Sequence, residues 1–133
     1  VAMYVKQEGE AFAFANLFAD YTYNFDLSTR NTFKLKVFMP SYNDFTSIAG
    51  YDWAIKTMLK QVSVKLQDGT AAQPWENQVE IKKEVTQLDK WVELTFDFSP
   101  YANRKDLNRI VIQIGGEGHF IPGIFFIDDF RLE

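Results

Sequence analysis

Hydrophobic and polar side chains alternate one for one along most of this chain, the period of a strand with one buried face. Phe33, Leu35, Val37 and Met39 fall on one face over residues 32–39, Lys34, Lys36 and Phe38 fall on the other, and Pro40 ends the run. Val62, Val64 and Leu66 alternate with Ser63, Lys65 and Gln67 before an Asp68-Gly69 turn. Over residues 91–98, Val92, Leu94, Phe96 and Phe98 oppose Trp91, Glu93, Thr95 and Asp97, and over 109–114 the inward set is Ile110, Ile112 and Ile114. Val79, Ile81 and Val85 mark a further strand. At the start, Val1, Met3 and Val5 alternate against Ala2, Tyr4 and Lys6; a Glu8-Gly9-Glu10 turn and a strand over 11–15, with Phe12 and Phe14 among alanines, follow. With residues 124–133 this makes eight candidate strands separated by turn signals, the pattern of an all-β, two-sheet antiparallel sandwich in one domain spanning 1–133.

The closing segment poses a problem. Strict alternation puts Phe126, Asp128, Phe130 and Leu132 on one face and Phe125, Ile127, Asp129 and Arg131 on the other. A carboxylate in register with three large apolar residues is costly, since even a neutral polar group loses roughly 2–7 kcal/mol when buried without a partner. Asp128 therefore needs a hydrogen-bond, ionic or metal partner, or the alternation breaks.

Two segments do not alternate. Residues 41–61 are long for a connection in a compact domain, and Tyr51, Ala54, Ile55, Met58 and Leu59 within them follow helical spacing, which predicts one helical turn or two. The polar stretch 100–108 reads as an exposed connection.

A net charge of −4 without a basic cluster argues against nucleic acid as a partner. The absence of cysteine removes disulfides and thiolate metal sites, and a single histidine, His119, removes a multi-histidine centre. No apolar run has the length of a membrane-inserted helix. The chain begins without Met and in mid-pattern, so it is expected to be a module of a longer protein with neighbouring domains. Gly115-Gly116-Glu117-Gly118-His119 fits neither nucleotide-binding glycine fingerprint, and a strand follows where a helix is required; it reads as a loop beside a binding face.

Several short motifs occur in a telling order: Asp26-Leu27-Ser28-Thr29 leading into residues 33–40, Val64-Lys65-Leu66-Gln67, Pro74-Trp75-Glu76-Asn77-Gln78, residues 91–98, and residues 125–132. This succession resembles the jelly-roll carbohydrate-binding modules with a galactose-binding-like fold, nearest to those grouped as families four, nine, sixteen and twenty-two and to Bacteroidetes-type relatives on secreted or surface glycan-degrading proteins. The resemblance implies a non-catalytic module, secreted or at the cell surface, that holds a polysaccharide or oligosaccharide, with β-glucan favoured. It also implies a structural calcium ion bound by an Asp of the last strand, here Asp128. The chain lacks a strand that usually precedes its first one and often supplies an acidic ligand, so the calcium site is incomplete, absent or completed by other oxygens.

Tyr51 and Trp53 are the leading candidates for stacking on sugar rings, because they lie in the long loop where no strand pattern requires them in the core. Trp75 is a third candidate, and Gln78, Glu80 and His119 are candidates for bonding hydroxyls. Each has a bland counterpart: Trp53 plugging the end of the sandwich, Trp75 packing on the core, polar strand residues merely solvated. With Trp53 and Trp75 as packing residues the rival function is a structural or protein-interaction sandwich; a second rival, a small β-sandwich enzyme, requires two carboxylates facing each other across a cleft at a hydrolytic separation.

Overall fold

The computed structural model describes residues 1–7 and 16–133. Among them are eight strands: β1 (Ala2–Lys6), β2 (Asn16–Asp20), β3 (Thr32–Phe38), β4 (Gln61–Gln67), β5 (Val79–Glu84), β6 (Trp91–Asp97), β7 (Arg109–Ile114) and β8 (Gly123–Leu132). They form two four-stranded antiparallel sheets, ordered β1-β8-β3-β6 and β2-β7-β4-β5. The nested pairs β1·β8, β2·β7, β3·β6 and β4·β5 are the wrapping of a jelly roll. The expected β-sandwich is the observed fold.

The alternating residues do build the core. Phe33, Leu35, Val37 and Met39 from one sheet meet Val62, Val64, Leu66, Ile110 and Ile114 from the other, all buried. Tyr4 joins the sheets directly: its hydroxyl accepts the Ile114 N–H at 3.2 Å. β1 thus turns Tyr4 and Lys6 inward and leaves Val1, Met3 and Val5 exposed. The expected turn at 8–10 and strand at 11–15 lie outside the described residues. β2 has no alternating signature, since Leu17 and Phe18 are both exposed on this edge strand.

In β8 the alternation breaks at one residue. Lys36 pairs with Asp128 and Lys34 with Arg131, so Asp129 and Phe130 together face Leu35 alone. This is a β-bulge, with Asp129 in the left-handed region at φ 53°. Before the bulge Phe125 and Ile127 point into the core; after it Phe130 and Leu132 do. Asp128 is therefore solvent-facing, at 48% side-chain exposure, and the stripe that placed it among core phenylalanines does not exist.

Candidate functional site

The outward face of β2-β7-β4-β5 is polar and largely buried. Ser63, Lys65 and Gln67 of β4 and Gln113 of β7 are all nearly inaccessible, although they project away from the core between the sheets. Partners satisfy most of them. Gln67 Nε2 donates to Gln78 Oε1 at 2.7 Å, Ser63 Oγ bonds Glu80, and Lys65 Nζ lies 3.9 Å from Glu80 and 3.8 Å from Glu117. Among the described residues two atoms on this face have none: Gln113 Nε2 and Asn16 Oδ1, a donor and an acceptor on residues paired across β2 and β7. Buried groups without partners are rare in folded chains and mark places that take water or a polar guest.

A cleft of about 450 Å³ opens at one end of this face. Gln61, Glu80, Lys82 and Gln113 line it from the strands; Trp53, Lys56 and Leu59 do so from the long loop, and Glu117 from the glycine loop. The long loop is ordered by its own polar residues. Asp44 caps a turn through the backbone N–H groups of Thr46 at 3.0 Å and Ser47 at 2.9 Å, and bonds from Ser47 and Thr46 hold its carboxyl well below the usual carboxylate range. Asn43 clasps Ile124, accepting its N–H at 2.8 Å and donating to its carbonyl at 2.9 Å. Met58 anchors the far end in the core. Helical spacing here resolves into one 3-10 turn, Asp52–Ala54, closed at its base by the Ala49–Lys56 bridge.

The glycine loop exists to seat that turn. Tyr51 N–H donates to Gly118 O at 3.1 Å and Leu59 N–H to Gly115 O at 3.0 Å. A Cβ on Gly118, whose φ is +83°, would fall 2.4 Å from Ala54 Cβ and 2.9 Å from the Trp53 ring. Only glycine admits this approach. The turn leaves Trp53 64% exposed, nearly parallel to the Tyr51 ring at 12° and 6.0 Å; Tyr51 in turn meets Phe120 edge-on at 4.6 Å.

The other sequence candidates divide. Glu80 lines the cleft, and Gln78 braces Gln67 beside it. Trp75, 62% exposed on the 3-10 turn Pro74–Asn77, stands at the Gln67 end of the same sheet and does not line the cleft. His119 is a correction: it is fully buried and cannot reach a ligand on this face. Its Nδ1 lies 3.2 Å from Lys6 Nζ, which also donates to the carbonyls of His119 at 2.5 Å and Ile121 at 2.8 Å. Burial, then the neighbouring Lys6 charge, pushes the imidazole down to about 4, and burial with the Lys56 charge pushes Lys6 down to about 8. Gln113 is one of the outward polar strand residues from which the sequence allows a binding floor to be drawn, and it lines the cleft; Lys56, in the long loop, carried no such signal.

Among the described residues, the surroundings of Asp128 supply few of the six to eight oxygens that calcium takes. Asp128 Oδ1 accepts the Asp129 N–H at 2.9 Å, and the adjacent Asp129 carboxylate is held by Lys36 at 3.3 Å and Arg131 at 2.9 Å. Among the described residues no group of three or more His, Cys, Asp or Glu side chains is placed to hold a metal ion.

Compared with known proteins, the sequence matches no family model and no curated protein.

Proposed function

We propose that this domain is a non-catalytic carbohydrate-binding module that holds a polysaccharide on the outward face of β2-β7-β4-β5. One observation carries the reading: an exposed indole, Trp53, at the mouth of a polar cleft lined by Gln113, whose amide N–H group has no partner among the described residues. A pyranose presents a C–H face to such a ring and hydroxyls to the groups around it. Glu80 and Glu117 both lie within ion-pair distance of Lys65 and offer acceptors to sugar hydroxyls at the cleft. Exposed stacking and solvent-competing hydrogen bonds yield modest net energy, so single-site affinity belongs in roughly the 1 mM–1 μM range. Such affinity suits a module tethered to neighbouring domains on a secreted or surface protein, where multivalency multiplies retention. Affinity electrophoresis through gels containing β-glucan, xylan, mannan or alginate tests the reading. Retardation by at least one of them, lost in Trp53→Ala, supports it; free migration through all of them sinks it.

A second reading has an observation of its own. Met3, Phe126, Phe38 and Trp91 follow one another across β1, β8, β3 and β6 as one cross-strand row on the outward face of the first sheet. Met3 and Trp91 are exposed, and Phe38 touches both Phe126 and Trp91. A continuous apolar row suits a protein-interaction or interdomain surface. Under that reading Trp91→Ala, not Trp53→Ala, changes the behaviour of the parent protein.

A further inference from the structure

A second pocket, of about 320 Å³, opens at the other end of the sandwich, where β2 leaves its sheet and β3 begins. Its wall is aromatic: Tyr21, Tyr23, Phe25, Phe33 and Phe130. The first three form a fixed cluster, with centroids 5.6 Å apart for Tyr21–Tyr23, 5.3 Å for Tyr21–Phe25 and 6.2 Å for Tyr23–Phe25. Phe25 is buried and anchors the cluster, and backbone bonds from Tyr21 to Asn108 at 2.9 Å and from Phe25 to Leu107 at 2.8 Å hold the segment in place. Tyr23 nevertheless keeps 61% of its surface exposed. Ordering this ring on binding therefore costs little, the condition for an effective stacking platform.

Polar groups rim the same pocket. Asp26 is fixed by Ser28 and by Lys105 at 3.2 Å, and Arg131 is fixed by Asp129 and Glu133, both at 2.9 Å. Arg30 differs: among the described residues its guanidinium has neither a carboxylate within 4.0 Å nor a side-chain hydrogen bond. Five donors in a rigid fork thus stand unclaimed beside an exposed phenol ring, with the Thr29 hydroxyl and the Asp26 carboxylate as acceptors. An aromatic face with clustered donors and acceptors is the combination the cleft at Trp53 offers, rebuilt from different residues.

We infer that this pocket is a second saccharide-binding site, in which a pyranose lies against Tyr23 while Arg30 and Thr29 bond its hydroxyls. The inference rests on the carbohydrate reading proposed above and extends it to a bivalent module. Ile110 lines this pocket from the inward face of β7, whereas Gln113 lines the cleft from its outward face, so the two sites are separate. Two weak sites on one module raise retention on a polysaccharide well beyond either alone.

Isothermal titration with hexasaccharides of β-glucan, xylan, mannan and alginate reads the number of sites. The wild type is expected to bind two equivalents, and Trp53→Ala and Tyr23→Ala one each. Arg30→Ala should weaken the site that survives in Trp53→Ala by about tenfold. Circular dichroism confirms folding of each variant, and Tyr23→Phe, which keeps the ring, should restore two equivalents. A single equivalent abolished by Trp53→Ala, or two equivalents left intact in Tyr23→Ala, overturns the inference and leaves the carbohydrate reading standing. No binding of any hexasaccharide by the wild type overturns both.

Discussion

Phe130 stacks on Phe33 with centroids 5.5 Å apart and 14° between the ring planes, a core contact available only because Asp129 absorbs an extra residue in β8. Without the bulge, Asp129 and Arg131 would follow Phe125 and Ile127 toward the core, and Phe130 would leave it.

That geometry makes Asp129 a sensitive position. A non-glycine residue at positive φ costs on the order of 1–2 kcal/mol. The side chain's ion pairs to Lys36 and Arg131 are half-exposed and return little. Asp129→Gly is expected to hold or raise the urea midpoint, and Asp129→Val to lower stability by about 2 kcal/mol. Equal stability of the two variants would show that the bulge is not what sets the register.

Asp128 supplies a contrast. Exposed and paired only at the surface, it should tolerate Asp128→Ala with a change within about 0.5 kcal/mol. The melting curve should be the same with and without chelator. A fall in melting temperature on chelation, absent in Asp128→Ala, would restore the calcium ligand that family resemblance implies.

His119 should make stability pH-dependent. Its folded-state pKa, lowered from 6.5 to about 4 by burial and then Lys6, means the unfolded chain takes up the proton first as pH falls. The stability contributed by neutral His119 is thus fully present above pH 6.5 and lost progressively as pH falls toward 4. Urea titrations at pH 7 and pH 4.5 should show a large drop for the wild type and a smaller one for His119→Gln. Parallel drops would place the acid sensitivity elsewhere.

Gly118→Ala tests the seat of Trp53. The added methyl meets Ala54 and the indole at sub-contact distance on a backbone already at positive φ. The expected result is a shift in tryptophan fluorescence with loss of saccharide retention, while the β-sheet circular dichroism signal is kept. Unchanged fluorescence would mean that the loop relaxes around the methyl group.

The sandwich was legible in the sequence because β3, β4, β6 and β7 each set apolar residues at alternate positions toward the core, and the positions between are mostly polar, even in β4 and β7 where they too are buried. The alternation failed at β2, where Leu17 and Phe18 are exposed on an edge strand, and at β8, where one residue at positive φ reverses the parity. Nothing local to Asp-Asp announces a bulge. The site was half legible. Trp53 stood out because no strand needed it, whereas Gln113 looked like any solvated strand residue until pairing with β2 and β4 set it on the cleft floor. His119 misled because a histidine beside glycines reads as exposed, and its partner Lys6 lies far away in the chain.

The wrapping of the strands carries a kinetic consequence. Among the described strands only β4 and β5 are both consecutive and hydrogen-bonded; every other ladder joins distant segments, and the outermost sets Ala2 against Ile127. Chains dominated by such remote contacts fold slowly, in milliseconds to seconds, because ring closure must precede any reward. The β4–β5 hairpin is the natural nucleus, and the first and last strands should zip together at the end. Until then the Met3-to-Trp91 row has no finished neighbours, which makes late refolding the stage most exposed to self-association.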